Sequence, residues 1–374
     1  MKTVKYRDMI FAGLLLLFTI YLVVIPTGFE KETDNDYDRA KAVVLNTDNS
    51  DLEKHGIINT GCQNLEIRIL DGKFKGFESS CTNFLYGKME LDKMFIEGDY
   101  LLASINFSGD KIISCEAIDH YRINYEIWLF SIFVIFLIIY AGFTGLKAVL
   151  SFIFSGLFIW KILLPGFLKG YDPVILSLIV VMILTAIIIF LVGGLNNKGY
   201  TAFLGSCAGI IITSILSILF GDLFVIHGAI KPFSETLLYS GFPHLDLTEI
   251  FLAGIFLASS GAVMDIAMDI SASQHEIFEK NPNISRKELI FSGFRVGRAV
   301  VGTMTTTLLL AYSGGFTGLL MVFMAQGTPM TSILNLNYVS AEILHTIVGS
   351  FGLVTVAPMT AIMGGFIYVR KNRK

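Results

Sequence analysis

Leu252-Ala-Gly-Ile-Phe-Leu-Ala-Ser-Ser-Gly-Ala-Val-Met-Asp265-Ile-Ala-Met-Asp269 reads as a bilayer-spanning stretch, yet it carries two carboxylates. On a helix, positions i and i+4 share one face, so Asp265 and Asp269 stand on a single stripe. An ionised carboxylate in hydrocarbon costs several kcal/mol, roughly 2.5–3.5 on insertion scales. The next hydrophobic segment carries Arg295 and Arg298, about one turn apart. Four ionisable residues thus fall where a bilayer favours none. Intramembrane charge of this kind marks an ion or substrate path by default.

The rest of the chain agrees with a membrane setting. It has 374 residues, 53% hydrophobic and 16% charged, with mean hydropathy +0.66. Soluble domains carry about 25% charged residues. The fold class expected is an α-helical polytopic membrane protein. Met9–Pro26 forms a first span without a small-residue cleavage site, an uncleaved anchor. Further spans fall at 127–144, 147–167, 173–195, 201–224, 248–271, 287–312 and 343–369, about eight in all. Lys2, Lys5 and Arg7 precede the first span, and Arg370, Lys371, Arg373 and Lys374 follow the last. Lys147, Lys198, Lys280, Arg286 and Lys287 mark the intervening loops on the same side. The positive-inside bias therefore puts both termini in the cytoplasm, with residues 30–125 on the outer side of the membrane.

Phe316–Ala325 is apolar but only about half a membrane long, so a re-entrant or short segment is expected there. Lys161 and Pro165, near the end of the third span, are expected to snorkel and to terminate it, respectively. Phe203-x-Gly205-x-x-x-Gly209 matches Phe291-x-Gly293-x-x-x-Gly297, and each follows a basic residue by five positions. Lys147 and Phe152 repeat that first spacing. Tandem hairpin repeats would explain the match, as would ordinary packing of small residues between helices.

The chain divides into an anchor (1–29), a polar segment (30–125) and a helical membrane domain (126–374). Residues 30–126 hold 19 of the 31 acidic side chains and 11 of the 28 basic ones. That balance argues against a nucleic-acid partner. After a charged linker at 31–40 come five strand-like runs: Lys41–Thr47, Leu65–Leu70, Gly76–Thr82, Tyr100–Phe107 and Lys111–Ile118. Asp71-Gly72-Lys73-Phe74 and Ser108-Gly109-Asp110 have hairpin chemistry. The expectation is a small all-β, OB-like barrel between spans one and two. Cys62, Cys81 and Cys115 lie in it and permit one disulfide at most; Cys207 is in a span.

Gly261-Ala-Val-Met-Asp265-Ile-Ala-Met, Asn281-Pro-Asn-Ile-Ser-Arg-Lys-Glu-Leu289, Gly297-Arg298, Gly302-Thr-Met-Thr305 and Val348-Gly-Ser-Phe-Gly352 together resemble the YibE/F-like family of bacterial membrane proteins. Ile67-Arg-Ile-Leu-Asp-Gly-Lys-Phe-Lys-Gly76 resembles its extracytoplasmic domain. The resemblance covers nearly the whole chain and implies little about function. It also implies an acidic residue after the Gly-Arg pair, where this chain has Ala299, and a basic residue near the start of the last span, where it has His345. An intramembrane charge network would be reduced accordingly.

Ser285-Arg-Lys-Glu288 has the form of a capping box and fixes the start of the seventh span. Arg295 then lies about 13 Å along that helix at 1.5 Å per residue. Asp265 and Asp269 lie at a comparable depth on the preceding helix, so the two pairs are expected to meet. Thr303, Thr305, Thr306 and Thr307 add hydroxyls, and Glu342 and His345 open the last span. The expected ion or substrate pathway comprises Asp265, Asp269, Arg295, Arg298, Thr303, Thr305 and Glu342. Structural salt bridges with snorkelling arginines are the alternative use of the same residues.

No catalytic residue, metal or cofactor is expected. His275-Glu276 lacks ligand spacing, there is no phosphate loop, and the aspartates share one helix. The functional expectation is a bacterial membrane transport protein, an exporter or permease subunit coupled to protons or ions. The alternative is a non-transporting scaffold or receptor whose outer barrel binds a protein or envelope polymer. Partners expected are a small-molecule or ion substrate, membrane lipid, and a second copy or a paralogous membrane protein.

Overall fold

The computed structural model describes residues 2–30 and 37–370. Residues 31–36 of the expected linker, and Lys371, Arg373 and Lys374, lie outside the described residues, as do the side chains of Lys2, Lys5 and Arg370. Contacts divide the chain into two units: Phe29–Phe136, and Met1–Gly28 together with Leu137–Lys374.

The first unit is built on β1 (Tyr37–Asp48), β2 (Leu52–His55), β3 (Ile58–Ile69), β4 (Glu78–Tyr86), β5 (Tyr100–Ser108) and β6 (Lys111–His120). β1 pairs antiparallel with both β3 and β5, β3 with β4, and β5 with β6. A parallel contact of β4 with β6, Thr82 opposite Glu116, closes the ring. This five-stranded closed sheet is OB-like, and β2 is a short hairpin strand added at the edge of β3. Period-two alternation sends Ala40, Ala42, Val44, Leu65, Ile67, Leu101, Ala103, Ile105 and Cys81 inward. Phe74 and Phe95, from the connections, fill the interior. Gln63 is buried with them. Its amide donates to Asn49 Oδ1 (2.9 Å) and Phe95 O (2.8 Å) and accepts from Phe95 N (3.0 Å) and Asn83 Nδ2 (3.1 Å).

The helical unit contains α1 (Lys2–Val24) and most of α2 (Ile123–Phe158), which runs through a π turn (Ile159–Leu163) into α3 (Leu164–Leu168). It continues with α4 (Pro173–Gly193), α5 (Asn197–Leu223), the short α6 (Ser234–Tyr239), α7 (Leu247–Lys280), α8 (Arg286–Ala325), α9 (Met330–Asn335) and α10 (Asn337–Arg370). Among the described residues, seven helices are long and apolar enough to cross a membrane. The two spans expected at 127–144 and 147–167 are arms of one helical run, broken at Gly142 (φ 55°, ψ −128°). Only glycine holds that backbone without strain.

Two expectations need correction. Pro165 does not terminate its helix, which continues to Leu168. The π turn just before Pro165 absorbs the lost hydrogen bond. Lys161, in that turn, donates to Ile25 O at the end of α1 (2.7 Å). Phe316–Ala325 is not a separate half-helix but the end of the 40-residue α8. No proline interrupts residues 286–325, and the capping box starts the helix as expected, with Ser285 and Glu288 bonded reciprocally. The stop comes at Gly327 (φ 65°), where Thr328 N bonds back to Phe323 O (3.0 Å).

α10 packs antiparallel to α8 and also along α5 and α7. A Cβ at Gly205 or Gly209 of α5 would strike Thr360 or Val356; one at Gly293 or Gly297 of α8 would strike Ala361 or Ala357. The matched Gly-x-x-x-Gly pairs are therefore the places where two helices close on α10. Gln274 of α7 ties the contact together, donating to Leu289 O (3.1 Å) and Ala361 O (2.9 Å).

Candidate functional site

α7 and α8 meet through Ile270 with Gly297 and Gln274 with Gly293. By this register Asp269 lies level with Arg298, and Asp265 level with Gly302, about one turn farther along. The azimuth differs. Successive helical residues turn by 100°, and Asp265 and Asp269 fall on an exposed stripe of α7 away from that contact. Among the described residues, no ion pair within 4 Å joins Asp265 or Asp269 to Arg295 or Arg298, which corrects the expected pairing. Arg295 is exposed and reaches only Ser292 Oγ of its own helix (3.4 Å). Arg298 lines a cavity of about 500 Å³ between α8 and α10, with Phe294, Val301, Val354 and Pro358.

The threonines are committed locally. Thr303 Oγ1 donates to Val300 O (3.0 Å), Thr305 Oγ1 to Val301 O (3.1 Å) and Thr307 Oγ1 to Thr303 O (3.1 Å). Backbone carbonyls of the same helix thus take these hydroxyl protons.

Glu342 has the most developed surroundings of the expected site residues. Its carboxylate pairs with Lys231 Nζ at 3.3 Å, and the Glu342 side chain is only 12% exposed. Lys231 also lies 5.5 Å from the ring centroids of Phe251 and Phe316. One turn along α10, the His345 ring stacks on Tyr312 of α8, centroids 4.1 Å apart. Both ring nitrogens of His345 and the hydroxyl of Tyr312 are buried without a hydrogen-bond partner. Such orphaned groups cost about 1–3 kcal/mol each and are uncommon. Glu342 lines a cavity of about 230 Å³ with Ser313, Phe316 and Thr346. Lys231 and His345 line a second, of about 200 Å³, with Ser234, Phe251 and Gly254.

The segment presenting Lys231 is held by its backbone. Val225 (φ 51°) and Phe233 (φ 62°) flank it, and they are the non-glycine residues with positive φ among those described. Gly228 packs against the main chain of Leu247, where no side chain would fit. Sequence reasoning found Glu342 and noted His345, but gave no role to Lys231 or Tyr312. A tyrosine in an apolar helix is common, and only the antiparallel register of α8 and α10 brings it to His345.

Among the described residues no group of three His, Cys, Asp or Glu side chains is placed to hold a metal ion. Compared with known proteins, residues 129–370 match the family profile described as YibE/F-like protein. No curated protein and no solved structure matches the chain.

Proposed function

We propose, starting from the chain's membership of the YibE/F-like family, that it is a bacterial membrane transport protein, an exporter or permease subunit coupled to protons or ions. It would sit with both termini in the cytoplasm and residues 30–125 outside. The observation that carries the reading is the unpartnered pair His345 and Tyr312 beside the Lys231–Glu342 ion pair, with a cavity on either side. A purely structural ion pair has no need of an unsatisfied imidazole next to it. A proton delivered to Glu342 would dissolve its attraction to Lys231, and the freed ammonium could then meet a substrate in the adjoining cavity. Arg298, which lines the cavity between α8 and α10, would extend the path, whereas Asp265, Asp269 and Arg295, exposed on other faces, would lie outside it. The proposal assigns no catalytic step, metal or cofactor.

The test is transport by purified protein in lipid vesicles loaded with a pH-sensitive dye, under an imposed proton gradient and with panels of candidate solutes. Glu342→Gln and His345→Leu should each abolish solute-dependent proton flux while the protein remains folded. Normal flux in both variants would remove the cluster from the mechanism.

One observation favours the scaffold or receptor reading. The β unit exposes Ile57 (85%) and Met89 (70%), which with Ile58, Leu85 and Met94 and the polar Asn59, Asp92 and Lys93 line a cavity of about 170 Å³. An Ile57→Asp, Met89→Asp variant that folds and transports normally but fails to complement a deletion strain would favour a binding role for this face.

A further inference from the structure

Glycine marks helix contacts inside the helical unit: Cβ atoms at Gly205, Gly209, Gly293, Gly297, Gly352 and Gly364 would all strike a neighbouring element. Gly254 and Gly261 of α7 and Gly302, Gly314, Gly315 and Gly318 of α8 are different. A Cβ at any of them would meet nothing within 4 Å. Gly13 and Gly156 aside, these are the open helical glycines of ordinary backbone among the described residues. Ala258, Gly261, Asp265 and Asp269 make an exposed stripe on α7, and Arg295, Ala299, Gly302, Thr303 and Thr306 one on α8. Both stripes combine small residues with charge, a surface unsuited to lipid. The two charges are opposite in sign, yet within one chain they do not pair, because the α7–α8 contact runs through other faces.

We propose that a second copy of this chain docks on this face as a two-fold dimer. Asp269, with Asp265 beside it, would face the partner's Arg295, and Arg295 the partner's Asp269. Charge complementarity selects the occupant. A two-fold contact is reciprocal, so one acidic and one basic stripe on the same chain suffice to neutralise both copies. An axis along the membrane normal preserves depth. By the α7–α8 register Arg295 lies three residues from the level of Asp269, about 4.5 Å at 1.5 Å per residue, within an arginine's reach. Open glycines on both stripes allow the close backbone approach that such helix contacts use. An uncharged partner, or lipid, would leave both signs unpaired. The inference goes beyond the transport reading and does not depend on it.

The experiment counts photobleaching steps of singly labelled full-length chain in lipid vesicles at low density. Asp269→Arg alone and Arg295→Asp alone each place like charges at both reciprocal contacts, and each should lower the dimer fraction at least ten-fold. Mixed together they give a heterodimer with opposite charges at both contacts, and the dimer fraction should return to that of the unmodified chain. Gly261→Leu, which adds bulk without charge at an open position, should also lower it ten-fold while the monomer keeps its thermal transition. Three results would overturn the proposal. One is a chain that is monomeric at every density. Another is a dimer that withstands the single variants or Gly261→Leu. The last is rescue by the two exchanges in one chain but not by the mixture, which would place the pairing within a single copy.

Discussion

Breaking the Lys231–Glu342 pair from one side should cost more stability than removing it whole. At 3.3 Å the gross attraction is about 5 kcal/mol for an effective dielectric near 20. Desolvation opposes it, most strongly on Glu342, whose side chain is 12% exposed against 39% for Lys231. Lys231→Met strands the carboxylate and should destabilise by about 2–4 kcal/mol. Glu342→Gln leaves the ammonium, which is the better solvated partner, and should cost about half as much. The combined variant should recover at least about 1 kcal/mol relative to the sum of the singles. The assay is a double-mutant cycle on thermal unfolding in lipid nanodiscs, where Lys231→Met should shift the transition by several degrees, up to roughly 10 °C. Recovery of stability without recovery of flux would join a structural pair to a working site. Additivity within about 0.5 kcal/mol would refute the reasoning, since the two groups would then not interact.

Labelling from outside intact cells should modify an engineered Ser50→Cys and spare Lys374→Cys; external modification of the latter would overturn the proposed orientation. Residues 29–124 expressed alone should unfold cooperatively in denaturant, and Gln63→Leu should lower that stability by about 2–4 kcal/mol because Phe95 N–H and C=O lose their buried partners. An unchanged midpoint would mean that water replaces the amide. The Cys81 thiol is pushed up by the neighbouring Cys115 thiol and by burial, so its thiolate is scarce at ordinary pH. Maleimide at pH 8 should therefore leave Cys81 unmodified in the folded protein and label it after denaturation, as read by mass spectrometry; rapid labelling of the native state would contradict its buried placement.

The β unit was legible because period-two alternation reports burial directly. All five expected runs became strands, and the hairpin residues fell between them. β2 was missed because Leu52–His55 offers one apolar residue and no alternation. In the helical unit hydropathy located the apolar segments but not their continuity. Gly142 looks like any glycine in a span, whereas Ser313-Gly314-Gly315 looks like a break and is not one. Whether a glycine bends a helix or merely thins its surface depends on what packs against it, and that lies outside any local window. Pro165 misled for a related reason: a π turn can take up the missing hydrogen bond without ending the helix.

The site divides along a similar line. Sequence spacing fixes how far along a helix a charge sits, and Asp269 does stand level with Arg298. It says little about azimuth once the packing partners are unknown, so right depth and wrong face came together. Hydrogen bonding then sorts the polar residues of these apolar helices by what their groups already do. Thr303, Thr305 and Thr307 give their protons to their own backbone. The amide N–H groups of Gln274 are used in joining α7 to α8 and α10. Lys231 and Glu342 satisfy each other in part. Of the residues weighed for the site, His345, Tyr312, Asp265, Asp269 and Arg298 have no hydrogen-bond or ion-pair partner among the described residues. A bilayer protein retains such groups only where a proton, a ligand, water or another chain completes them. His345 and Tyr312 are buried beside cavities and suit the first three. The two aspartates are exposed on a small-residue stripe and suit the last. The proposed transport role therefore rests on one cluster and the proposed dimer on the other, and the flux and photobleaching experiments can fail independently.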